Sequence, residues 1–385
     1  MSAPPHPALA HGPVYADYNA TTPVDPRVAE AMLPHLTHHF GNPSSAHPYA
    51  DIPRAALTEA RAQVAALIGA RPGEIVFTGS GSEADLLALR GAALAATGRP
   101  HIITQATEHP AVLEGARALQ RLRGARVTVL PVDRDGLVDP ADVAAALDED
   151  TALVSIMAAN NETGALQPIA EIAAMAHERG ALMHTDAAQA AGKIPVDVAG
   201  WGVDLLTVVG HKLYAPKGVG ALYVRDGVEL EPLIYGGGQE RGLRAGTEHT
   251  ALAVALGVAA ALAADDLDHG EPDRLAGLRD RLHQRLDHAL PGRVHLNGPD
   301  KARLPNTLNI SVDGVRAHDL LATVTAFAAS TGSACHSGVH SPSPVLTAMG
   351  IEPARALAAL RLSLGRWSTD TDIDLIAAAV ADAAR

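Results

Sequence analysis

Cysteine occurs once in this chain of 385 residues, as Cys335. A lone thiol excludes an internal disulfide and any cysteine-rich zinc site, so Cys335 is either inert packing or chemistry. A basic excess is also missing. The formal net charge is -13, the pI is near 5.8, and no run of lysines or arginines forms a basic stripe, which argues against a nucleic-acid partner. The longest stretch free of polar side chains, Ala251 to Ala264, falls short of the ~20 residues that span a bilayer and reads as a buried helix. Met1 to Val14 lacks a basic region followed by an apolar core, so it is neither signal peptide nor anchor. The expectation is a cytoplasmic protein with no membrane partner.

What the chain does have is apolar residues, 47% of the total, enough for a large core and, at this length, for two domains. Short strand-like runs at Glu74 to Thr78, His101 to Thr104, Val127 to Val132, Leu153 to Met157 and Ala181 to His184 alternate with helical patterns, and Leu205 to Val209 and Gly220 to Val224 add two more. This alternation predicts an α/β fold with a mainly parallel sheet covered on both faces. It stops at a glycine-rich loop, Tyr235 to Thr247, followed by a helix from His249 to Leu267. Beyond it the texture is that of a smaller α+β domain, giving expected divisions of 1–24, 25–265 and 266–385.

Candidate chemistry lies at the ends of the strand-like runs. Leu205 to Val209 stops at Gly210 and presents His211 and Lys212 in a turn before the next strand. A lysine there is either a solvated loop residue or, if desolvated, a usable amine. Gly79-Ser80-Gly81-Ser82, between a strand and a helix, is either an ordinary turn or a phosphate cradle at a helix N-terminus, and it has no Walker lysine. Asp186 follows an apolar strand, where open α/β sheets place ligands, and a buried carboxylate needs a cationic partner. His109, Asn160, Asn161 and Glu162 also stand at strand ends, where each taken alone is equally a cap. Together these groups converge on one crevice with Lys212 at its edge, which is what a site requires. Arg361, within Leu360-Arg361-Leu362, reads by itself as the outward residue of an alternating strand. Cys335 sits among polar residues, which suits a reactive thiol better than packing. His35, His38 and His39 share a helix end, but no carboxylate or cysteine completes a metal site and none is expected.

In order along the chain, Gly41-Asn42-Pro43-Ser44-Ser45, Asn160-Asn161-Glu162-Thr163-Gly164, His184-Thr185-Asp186-Ala187-Ala188-Gln189, Gly210-His211-Lys212 and Gly332-Ser333-Ala334-Cys335 carry a resemblance. The chain resembles the pyridoxal 5'-phosphate enzymes of the class V aminotransferase type, and among them the cysteine desulfurases and selenocysteine lyases. The resemblance implies a fold-type I transferase: a large domain with a mainly parallel seven-stranded sheet, and a smaller α+β domain joined by the N-terminal segment. It implies that Lys212 forms the Schiff base with the cofactor, Asp186 pairs with the pyridine nitrogen, Gln189 bonds the ring hydroxyl and His109 stacks on the ring and transfers protons. Gly81, Ser82 and His211 would hold the phosphate, and Thr247 would reach the phosphate of a neighbouring subunit in a homodimer. Arg361, assisted by Asn161, would bind the substrate carboxylate. The implied reaction takes sulfur from L-cysteine, releases L-alanine and leaves a persulfide on Cys335, tuned by His336 or His340, for an acceptor protein.

Two other readings accompany it: a lyase acting on L-selenocysteine, and a non-catalytic sulfur-relay or scaffold partner. The joint presence of Lys212, Asp186, His109 and Cys335 argues against the second. The chain also departs from the family pattern. Val209 stands where many desulfurases have a phosphate-binding serine, the Gly79 to Glu83 loop differs from the usual threonine form, and Ala334-Cys335-His336-Ser337 looks closer to selenocysteine lyases.

Overall fold

The computed structural model describes residues 6–98, 100–331 and 341–385; Cys335, His336 and His340 therefore lie outside the described residues. Its strands are β1 (Val14–Tyr15), β2 (Ile75–Thr78), β3 (His101–Gln105), β4 (Arg126–Leu130), β5 (Thr151–Ser155), β6 (Leu182–Asp186), β7 (Leu205–Val209), β8 (Gly220–Val224), β9 (Val294–Leu296), β10 (Thr307–Val312), β11 (Phe327–Ala328) and β12 (Ala359–Ser363). Seven of them form one sheet in the order β2-β8-β7-β6-β5-β3-β4. Pairing is parallel from β7 to β4, and β8 runs antiparallel to both its neighbours. The expected mainly parallel sheet is therefore present.

Successive strand residues point to opposite faces, which is why these runs are apolar without alternation. Ile103, Val154, Met183 and Leu206 enter the core on one face, while Ile102, Leu153, Leu205 and Leu222 enter the core on the other. The helix Thr250–Asp268 is long and apolar enough to cross a membrane by length and composition alone, since it adds Thr250 and residues 265–268, three of them aspartates, to the apolar run Ala251 to Ala264. Its alanine-rich face is buried, with Ala255, Leu256, Ala259 and Ala260 in the main core.

A separate core is built by the antiparallel sheet β12-β10-β9 and the helices Glu271–Ala289 and Asp370–Ala383, through Leu282, Leu286, Ile310, Leu360, Ile373 and Ile376. The N-terminal segment belongs to this core: β1 pairs in parallel with β11, and Ala16 is buried there. Arg366 then ties the two cores together. Its guanidinium, stacked 4.2 Å from the Tyr214 ring centroid, bonds Asp25 at 2.7 Å and Asp266 at 3.0 Å. Both Arg366 and Asp25 are buried, and without Arg366 the Asp25 carboxylate keeps its pair with Arg27 at 2.8 Å. Arg366→Ala is expected to cost about 1.5–3 kcal/mol for the lost charged hydrogen bonds, read as a lower urea midpoint at unchanged m-value.

Two local differences from the sequence reading bear on the site. Gly81 and Ser82 are not loop residues but the first turn of the helix Gly81–Ala95, because the Ser80 side chain accepts the Glu83 N–H and caps it there. Asp186 ends β6 itself, paired in register with Thr207 of β7, rather than lying past the strand.

Candidate active site

Parallel strands deliver their carboxyl ends to one edge of the sheet, and Asp186, His109 and the Gly210–Lys212 turn meet there. The turn is tight: a Cβ on Gly210 would lie 2.7 Å from a Val219 methyl, so only glycine lets the chain double back into β8. Lys212 emerges into the crevice and donates from Nζ to two main-chain carbonyls, Asn19 at 2.7 Å and Ala20 at 2.6 Å. Burial, reinforced by the Arg361 cation, lowers its pKa to about 8, with Asp17 and Asp186 opposing. This is the desolvated amine, not the solvated loop lysine.

Asp186 is buried, and its Oδ1 accepts the Ala188 N–H at 2.8 Å. Burial raises its pKa, while that N–H, His109 and Lys212 act the other way. Two more buried carboxyls share its surroundings. Asp85 is pushed well up by burial and by the Asp186 charge, and Glu108 is pushed up to about 8, chiefly by burial. Three carboxyls this close cannot all ionise, and Asp186 is the one that Lys212 favours.

His109 caps the helix Pro110–Arg123, with Nδ1 accepting the Ala111 N–H at 3.1 Å, which leaves the proton of the neutral ring on Nε2. Solvent reaches the ring, yet the crevice walls and then Lys212 keep it below the usual imidazole range, against Asp186. His211 is held at about 4 by burial and then chiefly by the Lys212 cation, with Nδ1 3.2 Å from the Thr21 hydroxyl.

On the far side of the crevice, Arg361 is not the outward residue of an alternating strand. Leu360 and Leu362 fill the second core and Arg361, also buried, projects from the opposite face of β12. Its Nη2 bonds Asp17 at 2.7 Å and its Nη1 bonds the Asn161 carbonyl at 3.2 Å, while the buried Nε has no partner among the described residues. An unpaired buried guanidinium N–H beside a single carboxylate leaves capacity for a second anion. Asn161 thus meets Arg361 through its main chain.

The crevice brings Lys212, Asp186, His109, Gln189, His211, Asn161 and Arg361 together. Ser82 and Thr247 are exposed, and the structure gives neither a hydrogen bond to these groups. Thr247 does lie on a loop fastened beside the first turn of the helix Gly81–Ala95: Arg244 Nε bonds Glu83 at 2.9 Å, and Glu83 accepts the Gly79 N–H at 2.9 Å. Sequence reasoning missed Asn19 and Lys193. Asn19, buried, accepts Lys212 and Gln189 on its carbonyl and reaches Asn161 and Thr307 with its side chain. Its only sequence signal was the polar segment Tyr15 to Pro23, which has no element of its own beyond β1.

Val209 packs into the phosphate end. A Cβ on Gly81 would lie 2.4 Å from a Val209 methyl, so a hydrocarbon, not a hydroxyl, faces that first turn. Gly81→Ala is expected to lose about 1–3 kcal/mol by overpacking, measured by urea unfolding, and Val209→Ala in the same chain should restore most of it.

The donor set fits pyridoxal phosphate. A buried carboxylate suits a protonated ring nitrogen, a lowered amine suits an aldehyde, and the N-terminus of a helix of 15 residues, with first-turn N–H groups lacking intrahelical partners, suits a phosphate beside His211.

The class-V aminotransferase family profile matches residues 14–376. A cysteine desulfurase of Gluconacetobacter diazotrophicus is 48% identical over 366 residues, covering 94% of this chain and 91% of that protein. Among solved structures, a NifS-like protein superposes with a TM-score of 0.88 at 36% identity, covering 96% of this chain and 98% of the other. SspA in complex with cysteine gives a TM-score of 0.82 at 37% identity, covering 92% of this chain and 100% of that one. Matched across both cores and the crevice between them, the chain belongs to the pyridoxal-phosphate-dependent class-V aminotransferase family, in its cysteine desulfurase branch.

Proposed function

We propose that this protein is a cysteine desulfurase that takes the sulfur of L-cysteine, releases L-alanine and holds the sulfur as a persulfide on Cys335. One observation carries the reading: a lysine amine lowered to about 8 and a buried carboxylate face each other across one crevice with Arg361. When bound, the cofactor supplies an electron sink for negative charge at the substrate Cα. The chain's own residues do the rest. Arg361 binds the substrate carboxylate through the guanidinium, whose Nε has no partner among the described residues. Asp186 keeps a negative charge at the ring-nitrogen end. Lys212 Nζ holds the cofactor and moves protons at the substrate carbon, and His109 Nε2, at the crevice mouth, is the second proton carrier. Gln189 orients the ring edge, and Gly81, Ser82 and His211 take the phosphate. The Cys335 thiolate attacks the substrate sulfur: an S–S bond forms, the C–S bond breaks, and its electron pair stays with carbon, which gains a proton to become the alanine methyl.

The working form is a homodimer. Exposed Thr247 supports this, as do the apolar side chains Leu33, Leu36, Phe40, Tyr49 and Ile52, each more than half exposed on the single chain. Its setting is cytoplasmic, and its sulfur passes to an acceptor protein.

The test is incubation of the purified, cofactor-loaded protein with L-cysteine, following alanine and protein-bound sulfane sulfur. Both should rise together. Alanine from L-selenocysteine only, with cysteine inert, would move the assignment to a selenocysteine lyase. No alanine from either would leave the relay reading. Cofactor capture by the apo-protein should follow the free amine of Lys212, rising about tenfold per pH unit up to a midpoint near 8. Below that midpoint the ammonium predominates and cannot attack. Stopped-flow absorbance reads this directly, and a midpoint above 10 would contradict the site.

A further inference from the structure

Lys193 has no part in the reaction just described, yet it points into the same crevice. It follows the Gly192 turn after Asp186 and Gln189, and its Nζ donates to the Gln189 Oε1 and, at 3.2 Å, to the Asn19 Oδ1. Gln189 Nε2 in turn donates to the Asn19 main-chain carbonyl at 3.0 Å, closing a ring of three residues. That same carbonyl receives Lys212 Nζ at 2.7 Å.

The geometry points to Lys193 as a positioning residue for Lys212, acting through the Asn19–Gln189 pair. The reason is donor chemistry. An amide side chain can turn over and exchange oxygen for nitrogen, but a main-chain carbonyl only accepts, and the Lys193 Nζ, charged or neutral, has N–H groups for both amide oxygens. Lys193 and the carbonyls of Asn19 and Asn161 therefore fix both amides together: Gln189 turns its oxygen to Lys193 and its NH2 to the Asn19 carbonyl and the crevice. Asn19 must turn its oxygen to Lys193 and Asn306 Nδ2, 3.1 Å away, and its NH2 to the Asn161 carbonyl and Thr307. With both amides fixed, the Asn19 carbonyl has one position, and the Lys212 amine is held at it. A lysine placed only to balance charge would have a carboxylate partner. Burial, and then the cations Lys212 and Arg361, instead push the Lys193 pKa well below the usual lysine range, so what the site keeps there is an N–H donor and not a fixed charge.

This inference rests on Lys212 being the reactive amine, and its test keeps the two claims apart. In the full-length apo-protein, the reaction of Lys212 with an amine-acylating reagent is followed against pH by peptide mass spectrometry, without any need for turnover. Lys212 faces Asp17, Arg361, Asp186, His109, His211 and Lys193, and the first five are unchanged throughout. Wild-type Lys212 should label with a midpoint near 8. Lys193→Met removes both donors and leaves the two amide oxygens, and with them the Asn19 backbone, loosely held; water then reaches Lys212, and its labelling at pH 7.5 should fall about tenfold as the midpoint rises by roughly one pH unit. Lys193→Arg, which also donates, should recover most of the wild-type profile. If Lys193→Met does not fold, as judged by circular dichroism, Lys193→Gln takes its place: it fits the same space but can present an acceptor, and it should show the same fall. A wild-type profile in either substitution overturns the inference. Failure of wild-type Lys212 to label ahead of surface lysines overturns the functional reading instead.

Discussion

Lys212→Ala is expected to abolish alanine release, with a fall of about 10²–10⁴-fold from lost proton transfer alone and more from loss of the amine that holds the cofactor. The effect should be far larger than removal of an ordinary half-buried lysine, because its surroundings exist to lower this amine: burial and Arg361 bring it to about 8, and two main-chain carbonyls hold it over the crevice. The variant should lack the absorption band that borohydride abolishes in the wild type. Its urea midpoint should not fall, since a buried amine with a lowered pKa is a group that folding penalises below that pKa. The sign follows from linkage: the unfolded lysine binds a proton up to about 10.4 while the folded one releases it near 8, so wild-type stability gains from rising pH across that window and the variant loses the share that Lys212 contributes. Measurable alanine release from Lys212→Ala at a tenth of the wild-type rate would displace Lys212 from its role.

Cys335→Ser is expected to lose protein-bound sulfane sulfur completely. The chain contains no second cysteine, so a persulfide formed on this protein has no other residue to occupy. A serine hydroxyl is neither ionised near neutral pH nor able to form an S–S bond, so alanine release should fall by orders of magnitude with it. The pyridoxal chromophore and its first spectral change on mixing with L-cysteine should survive, because the groups that bind cofactor and substrate lie elsewhere. Spectra and sulfur transfer are thereby separated in one variant. Equal alanine from Cys335→Ser and wild type would remove Cys335 from the mechanism.

The two outcomes rest on differently legible parts of the chain. The sheet could be read because its strands are short apolar runs bounded by glycine and polar turns, and β10 has the limits its pattern gives. Lys212, Asp186 and His109 could be placed because strand ends are where ligands bind in such sheets. The first turn at Gly81 was missed because glycine and serine also mark turns, although Ser80 followed three positions later by Glu83 has the spacing of a helix cap, and Ser80 does accept the Glu83 N–H. Arg361 was misjudged because alternation shows which residues oppose the second core, not that the opposite face of β12 is covered by another part of the molecule. Asn19 and Lys193 were missed for a related reason. Their partners are distant in sequence, with Asn19 meeting Thr307 across 288 positions, and no local pattern foretells such a pairing.

The Asp17–Arg361 ion pair spans 344 positions of the chain. A ribosome adding ~5–20 residues per second needs roughly 20–70 s between the two. For most of that interval the segment carrying Asn19 and Ala20 has neither β11 nor β12 to pair with, and the Lys212 amine, once made, has no carbonyls fixed above it. The alternating α/β layer can settle as it emerges, but the crevice is completed only when the last strand arrives. An incomplete chain is thus born without a formed binding site, which spares the cell a half-built protein that captures a reactive aldehyde.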